Sequence, residues 1–238
     1  MNRIEALKYY KIGRNLSQGS KESQHYFDLS IKSDNTFSYA YFEKSVPFNK
    51  RGDYAKGFEL LNKAVELNPR MHLGYRGWLR LVKLKDYNGC INDLKELQKI
   101  KSENTYNAWG QNINYLIGIS FLGLKTFDKA IKCLDIAINE NGNLNHYFSK
   151  AITLLRIEDF ERSIKLLKIC INQNCNFTEA YYYLGLNYSK TEELNKAENN
   201  FNKALKLYKQ GFKNRNPYNE VFMEIYLFDF EIAIATLI

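Results

Sequence analysis

Residues 178–211 read TEAYYYLGLNYSKTEELNKAENNFNKALKLYKQG, and this stretch decides the architecture. Tyr181, Leu184, Gly185 and Tyr188 recur at i, i+3, i+4 and i+7, the spacing of one helical face. A polar break at Thr191-Glu192-Glu193 follows, then Ala197, Phe201 and Ala204 mark a second face. Gly185 and Ala204 are small residues set among large ones. Two antiparallel helices can approach closely at such points while the aromatic residues fill the space around them.

The pattern recurs upstream. Gly52-Asp53-Tyr54 leads to Leu61, Ala64 and Asn68-Pro69, Lys85-Asp86-Tyr87 to Cys90, Leu94 and Leu97, Thr126-Phe127 to Ala130, Leu134 and Ala137, and Asp159-Phe160 to Ser163, Leu167 and Cys170. The residues opening each second helix are Tyr54, Tyr87, Phe127, Phe160 and Leu194, spaced by 33, 40, 33 and 34 residues. A period in this range is the mark of a stacked helical array, in which no unit buries its apolar face alone.

Tyr181, Leu184, Gly185, Tyr188, Ala197, Phe201 and Ala204, with Ile117, Gly118, Phe121, Ala130 and Leu134 two units earlier, closely resemble the tetratricopeptide-repeat family. The resemblance covers about residues 4–211. It implies an all-α, right-handed superhelical solenoid of about six helix–turn–helix repeats with a C-terminal capping helix, about thirteen helices in all. The repeats fall near 4–37, 38–70, 71–103, 111–143, 144–177 and 178–211, with an insertion at 101–110 carrying Tyr106 and Trp109. The solenoid thus spans 1–215 and the capping helix 216–238, with Asn216-Pro217 as an N-cap and first helical residue. The first unit fits least well: Phe27, Ser30 and Asn35 match, while Gly13 stands about two residues out of register. In the third, Trp78 of Gly77-Trp78 occupies a position where a small residue is usual, and Tyr87 sets the register.

Composition agrees with a folded, helical chain. Of 238 residues 45% are hydrophobic and 25% charged, prolines number only 3, and 18 tyrosines with 15 phenylalanines imply aromatic packing at most helix contacts. The net charge of +8 comes from lysines spread along the chain beside acids, so nucleic acid is the less favoured partner. The densest basic run is Lys203, Lys206, Lys209, Lys213 and Arg215, and the acidic capping helix is its expected neighbour. No secretory signal or membrane span is visible, and a complete chain of this kind is expected in the cytoplasm.

Nothing in the sequence carries catalytic chemistry. Phosphate-cradling loops, H-E-x-x-H and G-x-S-x-G are absent. His25, His72 and His146 lie in three different units and are expected at the surface or at unit boundaries. Cys90, Cys133, Cys170 and Cys175 form no C-x-x-C pair, and three of them fall on expected core faces. Glu158/Asp159 and Glu192/Glu193 stand at turns, where acids favour a helix start. The expectation is a non-enzymatic protein with no cofactor, no metal and no small-molecule substrate.

In this family the first helix of each unit lines the concave, partner-binding face. Equivalent positions give an aromatic row, Phe42, Tyr75, Tyr115, Phe148 and Tyr182, and an aliphatic row, Val46, Leu79, Ile119, Ile152 and Leu186. A basic edge follows at Lys50, Lys83, Arg156 and Lys190. These residues either pack between units or form an apolar trough with a cationic margin, suited to a peptide with acidic and apolar residues. The Lys/Asn clamp with which some members of the family hold a C-terminal carboxylate is missing, since Phe42, Glu43 and Val46 occupy its positions. The alternatives are a structural subunit that self-associates through its apolar C-terminal end and, less favoured, a basic nucleic-acid binder.

Overall fold

A computed structural model describes residues 1–100, 107–214 and 222–237. The chain divides into two compact units, Met1–Trp78 with Asn92–Thr105, and Leu79–Ile91 with Tyr106–Ile238.

In the first unit, α1 (Arg3–Asn15) pairs with α2 (Lys21–Ser33), and α3 (Ser38–Lys50) with α4 (Tyr54–Leu67). The α1–α2 pairing is antiparallel: the hydroxyls of Ser30 and Ser23 donate to the carbonyls of Ala6 and Gly13 at 2.8 and 2.9 Å. These small buried hydroxyls replace the alanines of other hairpins and satisfy their own polar groups on the neighbouring backbone. Asn68 closes α4, and Pro69 opens α5 (Pro69–Leu79), where its missing N–H costs nothing. Arg76 on α5 makes a bidentate, largely buried ion pair with Asp93 at 2.7 and 2.9 Å. Asp93 belongs to α6 (Tyr87–Ile100).

In the second unit α7 (Ile113–Gly123) pairs with α8 (Phe127–Asn141), α9 (Leu144–Arg156) with α10 (Phe160–Gln173), and α11 (Thr178–Lys190) with α12 (Leu194–Lys209). The first helices also touch one another, α7 on α9 and α9 on α11, while the second helices approach each other less closely. The first helices therefore form the inner wall of this unit. A two-residue antiparallel pair, Asn107–Ala108 with Gln111–Asn112, precedes α7 around Trp109 and Gly110, both at positive φ (50° and 74°), the turn that matches strand twist.

Tyr54, Tyr87, Phe127, Phe160 and Leu194 are the first residues of α4, α6, α8, α10 and α12, as the spacing predicts. Each hairpin turn places one residue in the left-handed region: Gly19, Gly52, Lys85, Lys125, Glu158 and Glu192. The acidic pairs thus divide their work. Glu158 and Glu192 turn the chain, Asp159 caps α10 by accepting from the Arg162 amide, and Glu193 stands at the N-cap of α12.

Two register irregularities have local causes. Gly13 lies against the Phe27 ring, with room for no side chain, as Gly185 lies against Phe201. Gly13 is therefore the crossing glycine of its hairpin, whose intervening turn is two residues shorter. Gly77 faces Leu94, where an added methyl would stand 3.1 Å from that side chain, one residue before the crossing position that Tyr87 sets. The extra residue is absorbed by a π-helical turn at Arg80–Leu84 that continues α5. The glycine therefore keeps the crossing and Tyr87 keeps the helix start, while Trp78 moves off the crossing.

The last helix is shorter than expected. Residues 222–226 are not helical, and α13 runs only from Leu227 to Ala235. The expected start at Asn216-Pro217 lies outside the described residues. Among the described residues no helix is long and apolar enough to cross a membrane.

Candidate interaction face

The aromatic row packs between hairpins. In the first unit the Phe42 ring stacks on His72 at 5.0 Å and meets Tyr75 edge-on at 5.1 Å. In the second, Tyr115 lies 4.8 Å from His146, and Phe148 lies 4.9 Å from Phe177 and 5.6 Å from Tyr183. The row ends on Tyr182, whose ring meets Phe230 of α13 at 5.3 Å. Phe230 is fully buried and also meets Tyr208 of α12 at 5.4 Å, so α13 closes the last hairpin as a following first helix would. Tyr10 makes the corresponding contact in the first hairpin, edge-on to Phe37 at 5.2 Å. Sequence comparison omits it because the shortened turn displaces Gly13, and aligning on that glycine recovers it.

Val46, Tyr75, Leu79, Tyr115, Ile119, Phe148, Ile152 and Tyr182 are all buried, whereas Phe42 and Leu186 keep partial exposure. The buried members shape the wall, and a partner can touch directly only what remains open. The π turn also corrects the third repeat. With Gly77 at the crossing, Trp78 and not Leu79 corresponds to Leu186, and by the same shift Gly74 and not Tyr75 corresponds to Tyr182; Trp78 is partly exposed and stacks on Tyr75 at 5.9 Å. The large ring that is out of place by sequence spacing is in place once the extra residue is counted.

The basic edge is more open. Lys50, Arg156 and Lys190 are exposed, and Lys83, in the π turn, is partly so. Lys50 donates to the Gln18 side chain at 2.6 Å. Arg156 and Lys190, at the ends of the touching helices α9 and α11, make no ion pair among the described residues. Glu43 is the acid of this face in the first unit. Burial raises its carboxyl above the usual range, against the pull of Arg14 and Lys50.

His72 and His146 are buried at the seams between hairpins, as boundary residues, while His25 is at the surface. His72 shares a 3.1 Å hydrogen bond with Ser38, and burial pushes its pKa down to about 4, so it is neutral at pH 7. Cys90 and Cys170 are buried, Cys133 is partly exposed and Cys175 is exposed. Burial pushes the Cys170 thiol up to about 12, which makes it inert. Among the described residues no cluster of His, Cys, Asp and Glu could hold a metal. In the basic run, Lys213 is turned inward, 3.6 Å from Glu224 and over the Tyr208 ring, leaving Lys203, Lys206 and Lys209 exposed. Arg215 lies outside the described residues.

This arrangement of hairpins is the tetratricopeptide-repeat fold. The tetratricopeptide repeat model matches residues 178–210, the stretch with the fullest pattern. Among solved structures the chain is similar to Pseudomonas aeruginosa PilF (14% identity, TM-score 0.66, covering 87% of this chain and 94% of that one). It is similar also to the Cut9 chain of the APC/C hetero-tetramer Cut9–Hcn1, at 13% identity and TM-score 0.63. That match covers 98% of this chain and only 42% of the other, so this chain spans less than half of Cut9's length. A third likeness is to YrrB, a tetratricopeptide-repeat protein with an unusual peptide-binding site (16%, TM-score 0.61, covering 77% and 92%). No curated protein matches the sequence significantly.

Proposed function

We propose that the protein is a non-enzymatic interaction scaffold that receives a segment of another protein along its first helices. The observation that carries this reading is the pair Arg156 and Lys190, exposed and without ion-pair partners among the described residues, on helices in contact and beside the partly exposed Leu186. Cations left open next to an apolar side chain favour a segment that carries acids beside apolar anchors. Phe42 and Trp78 supply partly exposed rings on the corresponding helices of the first unit. The likeness to YrrB, itself a peptide-binding protein, supports the same reading.

Selection of a displayed random-peptide library on the purified chain tests it. Enriched peptides are expected to combine acidic with aliphatic or aromatic residues. The double variant Arg156→Glu/Lys190→Glu should bind them at least about tenfold more weakly and lose the salt dependence of association. Ile169→Ser on the second helix α10 should leave binding unchanged. Equal binding by the charge-reversed variant, or enrichment of basic peptides, contradicts the proposal.

A further inference from the structure

The first and last helices each leave an apolar stripe uncovered, and the two stripes carry opposite charge. On α13, Phe228, Ile232 and Ala235 recur at i, i+4 and i+7, away from the buried Phe230 and Ala233. Phe228 is 66% exposed and Ile232 47%. Glu231 flanks the stripe, and α13 contains no basic residue. On α1, Ile4 is 84% and Leu7 39% exposed, on the face opposite the buried Ala6, Tyr10 and Gly13. Beside them stand the exposed Lys8 and Lys11. The other two cations of α1 are already engaged, Arg3 with Asp34 at 2.7 Å and Arg14 with Glu43 at 3.7 Å, whereas Lys8 and Lys11 have no acidic partner among the described residues.

We propose that a second copy of the chain covers these faces, with α13 of one molecule seated on α1 of the next. Symmetric pairing is opposed at both ends: α13 against α13 would set Glu231 and Asp229 against their own copies, and α1 against α1 would do the same with Lys8 and Lys11. Only the unlike pairing joins apolar to apolar and acid to base. Each molecule brings one face of each kind, so two copies can exchange both contacts in a closed pair or join in longer chains. Two single-helix faces bury less area than a stable dimer needs, so assembly is weak, concentration-dependent and favoured by low salt. The proposal does not depend on peptide binding by the first helices.

Sedimentation velocity of the whole chain, from micromolar to near-millimolar concentration, tests it. Dimers or larger species are expected to accumulate with concentration and to recede in high salt. Ile4→Ser/Leu7→Ser and Phe228→Ser/Ile232→Ser should each be monomeric, with circular dichroism unchanged from the parent chain. Mixing the two variants should yield 1:1 dimers and nothing larger, because each variant has a single intact face and the pair uses both. A parent chain that is monomeric throughout overturns the proposal. So does an Ile4→Ser/Leu7→Ser variant that still dimerises alone, since α13 would then pair with itself. Where Ser substitution disturbs folding, the charge exchange Lys8→Glu/Lys11→Glu combined with Glu231→Lys serves instead: either change alone should abolish assembly and their combination restore it.

Discussion

A methyl group at Gly185 would stand 2.6 Å from the Phe201 ring, and one at Gly118 2.9 Å from the Leu134 side chain. These distances explain why the crossing position excludes side chains, and they make it a stringent test of register. Gly185→Ala should lower stability by about 1–3 kcal/mol through overpacking, seen as a lower denaturant midpoint at constant slope. An unchanged midpoint would mean that the helices do not cross there. His72 gives a second test, through pH. Its folded pKa, about 4, lies below the ordinary value of 6.5, so between these values the unfolded chain binds a proton that the folded chain does not. This contribution to stability is complete above about pH 6.5 and declines as pH falls toward 4, where both states are protonated. His72→Gln should reduce the slope of stability against pH in that window, measured by urea unfolding at several pH values.

At the level of elements, the turns are the most regular feature. Glu192 sits at φ 60° and Glu158 at 63°, a conformation that disfavours any residue with a Cβ, while Gly52 serves the same turn at 87°. Glu192→Gly should stabilise the protein by about 0.5–1 kcal/mol and Glu192→Val destabilise it, as thermal unfolding would show. The helix starts were legible in the sequence because aromatic or leucine residues open the second helices at spacings of 33 or 34 residues, lengthened to 40 only across the insertion, and these residues mark the starts of α4, α6, α8, α10 and α12. What spacing could not convey is where a repeat gains or loses residues without losing its packing. The shortened α1–α2 turn hid Tyr10, and the π turn at Arg80–Leu84 shifted Trp78 into the place assigned to Leu79. Nor could spacing separate a ring that faces a partner from one that faces the next hairpin. Tyr115, Phe148 and Tyr182 occupy the same periodic position in either case, and only the contacts with His146, Phe177 and Phe230 show what they meet.

For the whole molecule, we propose two kinds of surface for two kinds of partner. The inner wall formed by α7, α9 and α11 offers free cations and a small open apolar area, while α1 and α13 each expose an apolar stripe, with opposite charge beside it. Buried aromatic rings between hairpins hold the wall in one shape, so the proposed ligand would meet a preformed surface and lose less entropy in binding. The central claim is that this wall, and not the outer helices, is the binding face. Amide and methyl chemical-shift mapping of the isotope-labelled chain, titrated with an acidic, apolar-anchored peptide selected on the protein, tests that claim most directly. The largest shifts are expected on α9 and α11, at Arg156, Leu186 and Lys190. Shifts confined to α8, α10 and α12 would contradict it.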